Sequence, residues 1–305
     1  MKKPTLLQVR FFHPKYWIIW FFYCLIFIVV HLPHSVRIRF GTVLGALFYQ
    51  LARYRRHITE VNLSLCFPEL SPKERQNLAR KVFRSIGISI IEMACVWLRD
   101  PRKFRHLVHI NGLEHLESAL ARGKGVILLG MHLSTLDFCG AILSTYVEFD
   151  IMYRRNSSAL LDAMIQRGRN RNFVNAIERQ DIRGVIKSLK QGHAVWYGPD
   201  QDYGRRHSVF VPFFNQPAAT ITATARLAKT NGSPVIMFSH YRTPDDSRYE
   251  IFLSEPITSI PTDDPEFDAR TINQRIEQAV LRQPEQYWWV HRRFKTAPEG
   301  RKSPY

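Results

Sequence analysis

The first strong pattern in the chain is an unbroken apolar run. From Tyr16 to Leu32 it reads YWIIWFFYCLIFIVVHL, without an Asp, Glu, Lys or Arg. A helix needs about 20 apolar residues to cross a bilayer core, and about 17 is the lower limit. The run therefore fits a spanning helix or a helix inserted at one interface. Tyr16, Trp17, Trp20 and Tyr23 crowd one end, as aromatic residues do at a membrane surface. A cleaved signal peptide fits less well, because the following LPHSVRIRF lacks a small-residue cleavage site. Basic residues flank both sides (Lys2, Lys3, Arg10 and Lys15 before; Arg37, Arg39, Arg53, Arg55 and Arg56 after), so loop charge does not set an orientation. Residues 1–34 are expected to form a membrane anchor and 35–305 the main domain.

Beyond the run, apolar positions recur at helical spacing. Residues 35–64 predict an amphipathic helix whose arginines face anionic head groups or simply water. Cys66-Phe67-Pro68 breaks it, and Ser71-Pro72 opens a helix to about Trp97, with serine as N-cap and proline in the first turn. Short apolar runs then alternate with helical stretches. Strands are predicted at Gly125–His132, Phe149–Arg155, Ala194–Tyr197 and Pro234–Tyr241, with an edge strand at Tyr249–Leu253. Helices are predicted over 136–147, 158–170, 181–191, 218–231 and 268–282. This alternation predicts an α/β fold, a parallel or mixed sheet flanked by helices. The tail after Phe294, rich in Lys, Pro and Gly, is expected to be loose.

Charge changes the picture. Lys and Arg number 43 against 26 Asp and Glu, a net +17. Such a surplus seeks anionic partners: nucleic acid, anionic lipid head groups or an acidic carrier protein. The four cysteines, Cys24, Cys66, Cys95 and Cys139, share no CxxC spacing. They argue against a disulfide framework or a cysteine zinc site and suit a reducing compartment.

Candidate chemistry sits in Gly130-Met-His-Leu-Ser-Thr-Leu-Asp137. Polar residues just past the end of a strand face the crevice of an α/β sheet, and His132 stands there. Asp137 follows in the first turn of the next helix. A carboxylate beside an imidazole fixes its tautomer and stabilises the imidazolium, so His132 can serve as a general base for a hydroxyl. The competing reading is structural: Ser134-x-x-Asp137 resembles a capping box, with His132 satisfying a backbone group.

HLSTLD also fits the HxxxxD/E signature of glycerolipid and lysophospholipid acyltransferases. Further segments, HPKYWIIW from His13, NLSLCFPE from Asn62, AVWYGPDQDY from Ala194, SVFVPFF from Ser208 and PEQYWWVHRRFKTAP from Pro284, resemble the late acyltransferases of lipid A biosynthesis. The resemblance runs nearly end to end. It implies an acyltransferase-type α/β sandwich with an N-terminal membrane helix, on the cytoplasmic side of a bacterial inner membrane. It also implies acyl carrier protein as donor of a fatty acyl thioester. The acceptor would be the hydroxyl of a 3-hydroxyacyl chain on a Kdo-bearing tetra-acyl lipid A precursor. No cofactor or metal is implied. His132 and Asp137 match the catalytic pair, although relatives often carry Glu at the acidic position. Arg154 matches an arginine of a second block, where Arg155 replaces the proline relatives tend to have.

Other residues have two readings each. Asp200 and Asp202 in GPDQDY would position substrate or form a turn. His291, Arg292 and Arg293, beside Trp288, Trp289 and Lys295, would bind phosphates or Kdo carboxylates, or would cap a core of aromatic residues. Arg167, Arg169 and Arg171 would meet an anion or end a solvated helix. Against a nucleic-acid-binding protein stand the membrane-type N-terminus and the absence of a recognised motif. An acyltransferase with a glycerol phosphate or glycolipid acceptor shares the HxxxxD pair, but the C-terminal block speaks against it.

Overall fold

The computed structural model describes residue 6, residues 8–153 and residues 156–305. Arg154 and Arg155 lie outside the described residues. In chain order the elements are α1 (Trp17–Val29), α2 (His34–Leu51), α3 (Arg53–Cys66), α4 (Pro72–Leu98), β1 (Val108–Asn111), α5 (Leu113–Leu120), β2 (Val126–Leu129), α6 (Leu136–Leu143), β3 (Phe149–Tyr153) and α7 (Ala159–Asn172). They continue with β4 (Ala176–Glu178), α8 (Ile182–Lys190), β5 (Ala194–Tyr197), β6 (Ser208–Phe213), β7 (Gln216–Ile221), α9 (Ala223–Asn231), β8 (Val235–Arg242), β9 (Tyr249–Pro256) and α10 (Pro265–Arg282).

Seven strands form one mixed sheet in the order β1-β9-β8-β2-β5-β3-β4, and β6–β7 is a separate antiparallel hairpin. Strand β2 lies near the middle, parallel to both β5 and β8. The alternation of side chains along a strand divides the core. Ile127 and Leu129 pack with Val195, Tyr197 and Met237 under α9 and α10. Val126 and Leu128 pack with Ala194, Trp196 and Phe238 under α4 and α6.

The apolar run forms a helix of 13 residues, about 20 Å at 1.5 Å per residue, against a hydrocarbon core of about 30 Å. No helix among the described residues is long and apolar enough to cross a membrane, which corrects the expectation of a spanning helix. Pro33 starts α2 and ends any continuation. Val29 and Val30 are buried with the core. The outer side of α1 leaves Trp17, Ile18, Phe21, Leu25 and Ile28 exposed, and α2 leaves Val43, Leu47 and Leu51 exposed.

Ser71 and Glu74 form the capping box that starts α4, a helix of 27 residues. The predicted helix over 35–64 is two helices, broken at Ala52. The predicted helix over 218–231 begins only at Ala223, because residues 216–221 pair with β6. Strand β9 is not an edge: it lies between β1 and β8. Nor is the C-terminal tail loose. The Thr296 N–H and hydroxyl donate to the Asp202 carboxylate at 2.6 and 2.8 Å, and Tyr305 donates to Asn62 while accepting from the Phe294 N–H at 3.1 Å.

Candidate active site

His132 and Asp200 follow the C-terminal ends of the adjacent parallel strands β2 and β5, so both meet one crevice. The Asp200 carboxylate takes His132 from two sides. Its Oδ1 lies 2.7 Å from the ring Nδ1, and its Oδ2 accepts the His132 backbone N–H at 2.9 Å. The Asp200 side chain is 1% exposed and that of His132 28%. Burial disfavours the charged imidazole. The Asp200 charge and hydrogen bond outweigh it, Asp137 adds in the same direction, and the pKa is raised above the ordinary histidine value. The Asp200 carboxyl is held below its usual range: burial alone would raise it, but the His132 charge and hydrogen bonds prevail.

With Nδ1 taken, Nε2 is the nitrogen left for a substrate proton. The ring lines a cavity of ≈ 330 Å³ together with Met152, Ile182, Trp196, Ile221, Tyr203 and Arg179. Trp196 meets the imidazole edge to face at 5.6 Å between centroids. The chamber is thus mostly apolar, with an imidazole and a few polar groups at its wall, as ligand cavities commonly are. Arg169 on α7 is near enough to oppose the positive charge on His132.

Asp137 lies in the first turn of α6, half-buried. Among the described residues no hydrogen bond joins it to His132; it acts on the imidazole through its charge. The capping-box alternative does not form. Thr135 holds the cap position without a side-chain bond to the helix N–H groups, and Ser134 instead pairs with Ser85 at 2.7 Å.

The C-terminal block is a strap beneath this loop. Leu133 bridges Tyr287 in antiparallel fashion, Trp288 N–H donates to His132 C=O at 3.0 Å, and Ser134 N–H donates to Gln286 C=O at 2.7 Å. His291 Nε2 accepts the Asp202 N–H at 3.1 Å, and burial pushes this imidazole down to about 4. Asp202 itself anchors Thr296 and the Gly204 N–H. Arg293 is 2% exposed; it donates to Ala219 C=O at 2.8 Å and Thr220 Oγ1 at 2.9 Å, tying the strap to the hairpin. Of that expected anion-binding cluster, Arg292 is the arginine exposed to solvent.

Sequence reasoning missed a buried polar network behind the loop. Arg242 and Glu92 are 2% and 4% exposed, with Nε–Oε1 and Nη2–Oε2 distances of 2.7 and 2.9 Å. Tyr249 also donates to Glu92, Arg242 Nη1 reaches Ser85 at 3.4 Å, and Gln286 exchanges hydrogen bonds with the Arg242 backbone. The Arg242 to Ser85 to Ser134 chain therefore ends two residues from His132. One signal was available: Glu92 interrupts the apolar ISIIEMACVWL, and carboxylates are rarely buried without a partner.

Residues 6–296 match the family described as bacterial lipid A biosynthesis acyltransferase. The chain is 40% identical over 295 residues to the lipid A biosynthesis lauroyltransferase of Escherichia coli (strain K12), covering 96% of each. It is 36% identical over 297 residues to that organism's lipid A biosynthesis palmitoleoyltransferase, covering 97% of each. Among solved structures, the 1-acyl-sn-glycerophosphate acyltransferase PlsC from Thermotoga maritima aligns with a TM-score of 0.38 at 13% identity, over 83% of this chain and 98% of that one. That likeness is too distant to carry an argument about the site.

Proposed function

Since the chain belongs to the bacterial lipid A biosynthesis acyltransferases, we propose that it moves a fatty acyl chain from acyl carrier protein to the hydroxyl of a 3-hydroxyacyl chain on the Kdo-bearing tetra-acyl lipid A precursor. The observation that carries the mechanism is the His132–Asp200 pair, whose imidazole lines a mostly apolar cavity. His132 Nε2 takes the proton of the acceptor hydroxyl as its oxygen attacks the thioester carbonyl carbon. The imidazolium that forms is held by Asp200 at Nδ1, with the Asp137 charge nearby. The C–S bond then breaks, and the leaving thiolate takes the proton back. No nucleophilic serine or cysteine is needed. Asp202, His291 and Arg293 brace the site from behind, while Arg292 and the Arg154–Arg155 pair are the cations proposed to meet the phosphates and carboxylates of the acceptor.

The proposal puts the catalytic domain on the cytoplasmic side of the bacterial inner membrane, with α1 lying in the interface rather than crossing it. The exposed Trp17, Ile18, Phe21, Leu25 and Ile28 support this, since a contiguous apolar face beside basic residues suits an anionic lipid surface. The test is an assay of purified protein with a panel of acyl carrier protein thioesters and the Kdo-bearing precursor, read by mass spectrometry. One added acyl chain on the precursor is expected, and none with His132→Ala. Acylation of glycerol phosphate but not of the precursor would overturn the assignment.

A further inference from the structure

A second cavity, of ≈ 290 Å³, lies between α1, α4 and α7, apart from the chamber that His132 lines. Its lining is apolar almost throughout: Ile26 of α1, Ala94 and Trp97 of α4, Met164 and Ile165 of α7. The Trp97 indole fills the place that a side chain on Gly168 would take, closing one wall. An apolar space about ten water volumes in size suits hydrocarbon better than water.

Three features narrow the occupant. Helix α7 presents Leu161, Met164, Ile165 and Gly168 to the cavity, at the three- and four-residue spacing of one helix face. Arg169, one residue beyond Gly168, does not line the cavity and acts on the charge of His132. No described residue lining this cavity also lines the chamber of His132, so a chain held there is not the one whose hydroxyl reacts. Next, Phe22 of α1 both lines the cavity and stands 51% exposed, so the lining is continuous with the apolar outer face of that helix. Last, Arg167 is exposed at the rim, a cation where an anionic head group would sit.

We propose that the space between α1, α4 and α7 holds a non-reacting acyl chain of the lipid acceptor, entering from the bilayer side, with Arg167 facing the lipid's anionic head. The inference rests on the acceptor being a lipid with several acyl chains, as proposed above. During transfer only one of those chains presents its hydroxyl to His132, and the others must stay out of water.

The test fills the space from two walls, with Ala94→Phe and with Ile165→Trp. Steady-state kinetics are compared for the tetra-acyl acceptor and for an analogue bearing only the reacting 3-hydroxyacyl chain. Each variant should raise KM for the tetra-acyl acceptor by at least about tenfold, the worth of a few displaced methylenes. KM for the analogue and for the donor thioester should hold, as should the unfolding temperature. Arg167→Gln should raise the tetra-acyl KM without filling anything. Unchanged KM in the folded variants overturns the inference, as does an equal rise for both acceptors. A shift in donor chain-length preference overturns it in favour of a donor site. Failure of the unmodified enzyme to acylate the precursor at all strikes instead at the proposed reaction.

Discussion

The Asp200 carboxylate holds His132 at ring and backbone together, Oδ1 to Nδ1 at 2.7 Å and Oδ2 to N at 2.9 Å. One side chain thus sets the tautomer, the ring orientation and the path of the loop. Asp200→Asn keeps the size but removes the charge and offers an N–H where the ring needs an acceptor. Turnover should fall by about 10²–10⁴-fold, with circular dichroism unchanged. Normal turnover in the folded variant would remove Asp200 from the mechanism.

A raised histidine pKa has a kinetic sign. The base must be neutral, so kcat/KM should rise with pH and level off above His132's own pKa, which lies above the ordinary value of about 6.5. Asp137→Asn removes a charge that favours protonation of the ring. Its acid limb should therefore move to lower pH, with reduced turnover and a melting temperature within a few degrees of the parent. An unmoved limb would show that Asp137 does not act on His132.

Glu92 and Arg242 provide a stability test. Breaking a buried pair strands one charge, so Glu92→Gln or Arg242→Met alone should cost about 3–5 kcal/mol in denaturant unfolding. The double replacement Glu92→Gln with Arg242→Met should cost less than the sum, because no lone charge remains. Additive losses would mean that the two residues are not energetically paired.

Helices α2 and α4 cross so closely that Gly87 meets the backbone of Gly41 and Gly45. A methyl on Gly87 would overlap the Gly41 carbonyl oxygen and the Gly45 nitrogen, neither of which can rotate away. Gly87→Ala should destabilise by about 1–3 kcal/mol, although alanine is the better helix former. Stabilisation in thermal unfolding would refute the crossing.

Acid should weaken the fold through His240, which is fully buried, with Nδ1 2.8 Å from Thr135 Oγ1 and a pKa pushed down to about 3 by burial. Below about pH 6.5 the unfolded chain binds a proton there that the folded chain refuses. Unfolding free energy should then fall by about 1.4 kcal/mol per pH unit from this residue, down to its folded pKa. His240→Asn should flatten that slope, and an unchanged slope would acquit the residue.

Periodicity carried much of this architecture. The strands β2, β3, β5 and β8 are short apolar runs, and the Ser71-Pro72 start of α4 is a local signal that the structure retains. What periodicity missed was set at long range. Strands β1 (VHIN) and β4 (AIE) are only partly buried and carry polar residues that break any apolar run. The Asp200 bond to His132 spans 68 positions, so no spacing rule could select it over the nearby Asp137. The apolar run was legible as apolar, yet its helix length depended on the turn before Pro33. The aromatic and basic C-terminal block read equally as an anion-binding surface or as a cap on an aromatic core, and only its pairing with residues 132–134 gives it a bracing position.

That bracing has a consequence for biosynthesis. The peptide groups of His132 and Ser134 find their partners in Trp288 and Gln286, more than 150 positions downstream. A ribosome that has already delivered the whole central sheet has still not delivered the floor of the reaction loop. Nascent chains that stop short of residue 286 therefore carry the histidine and both aspartates without the scaffold that seats them, and on the proposed mechanism they should not catalyse transfer.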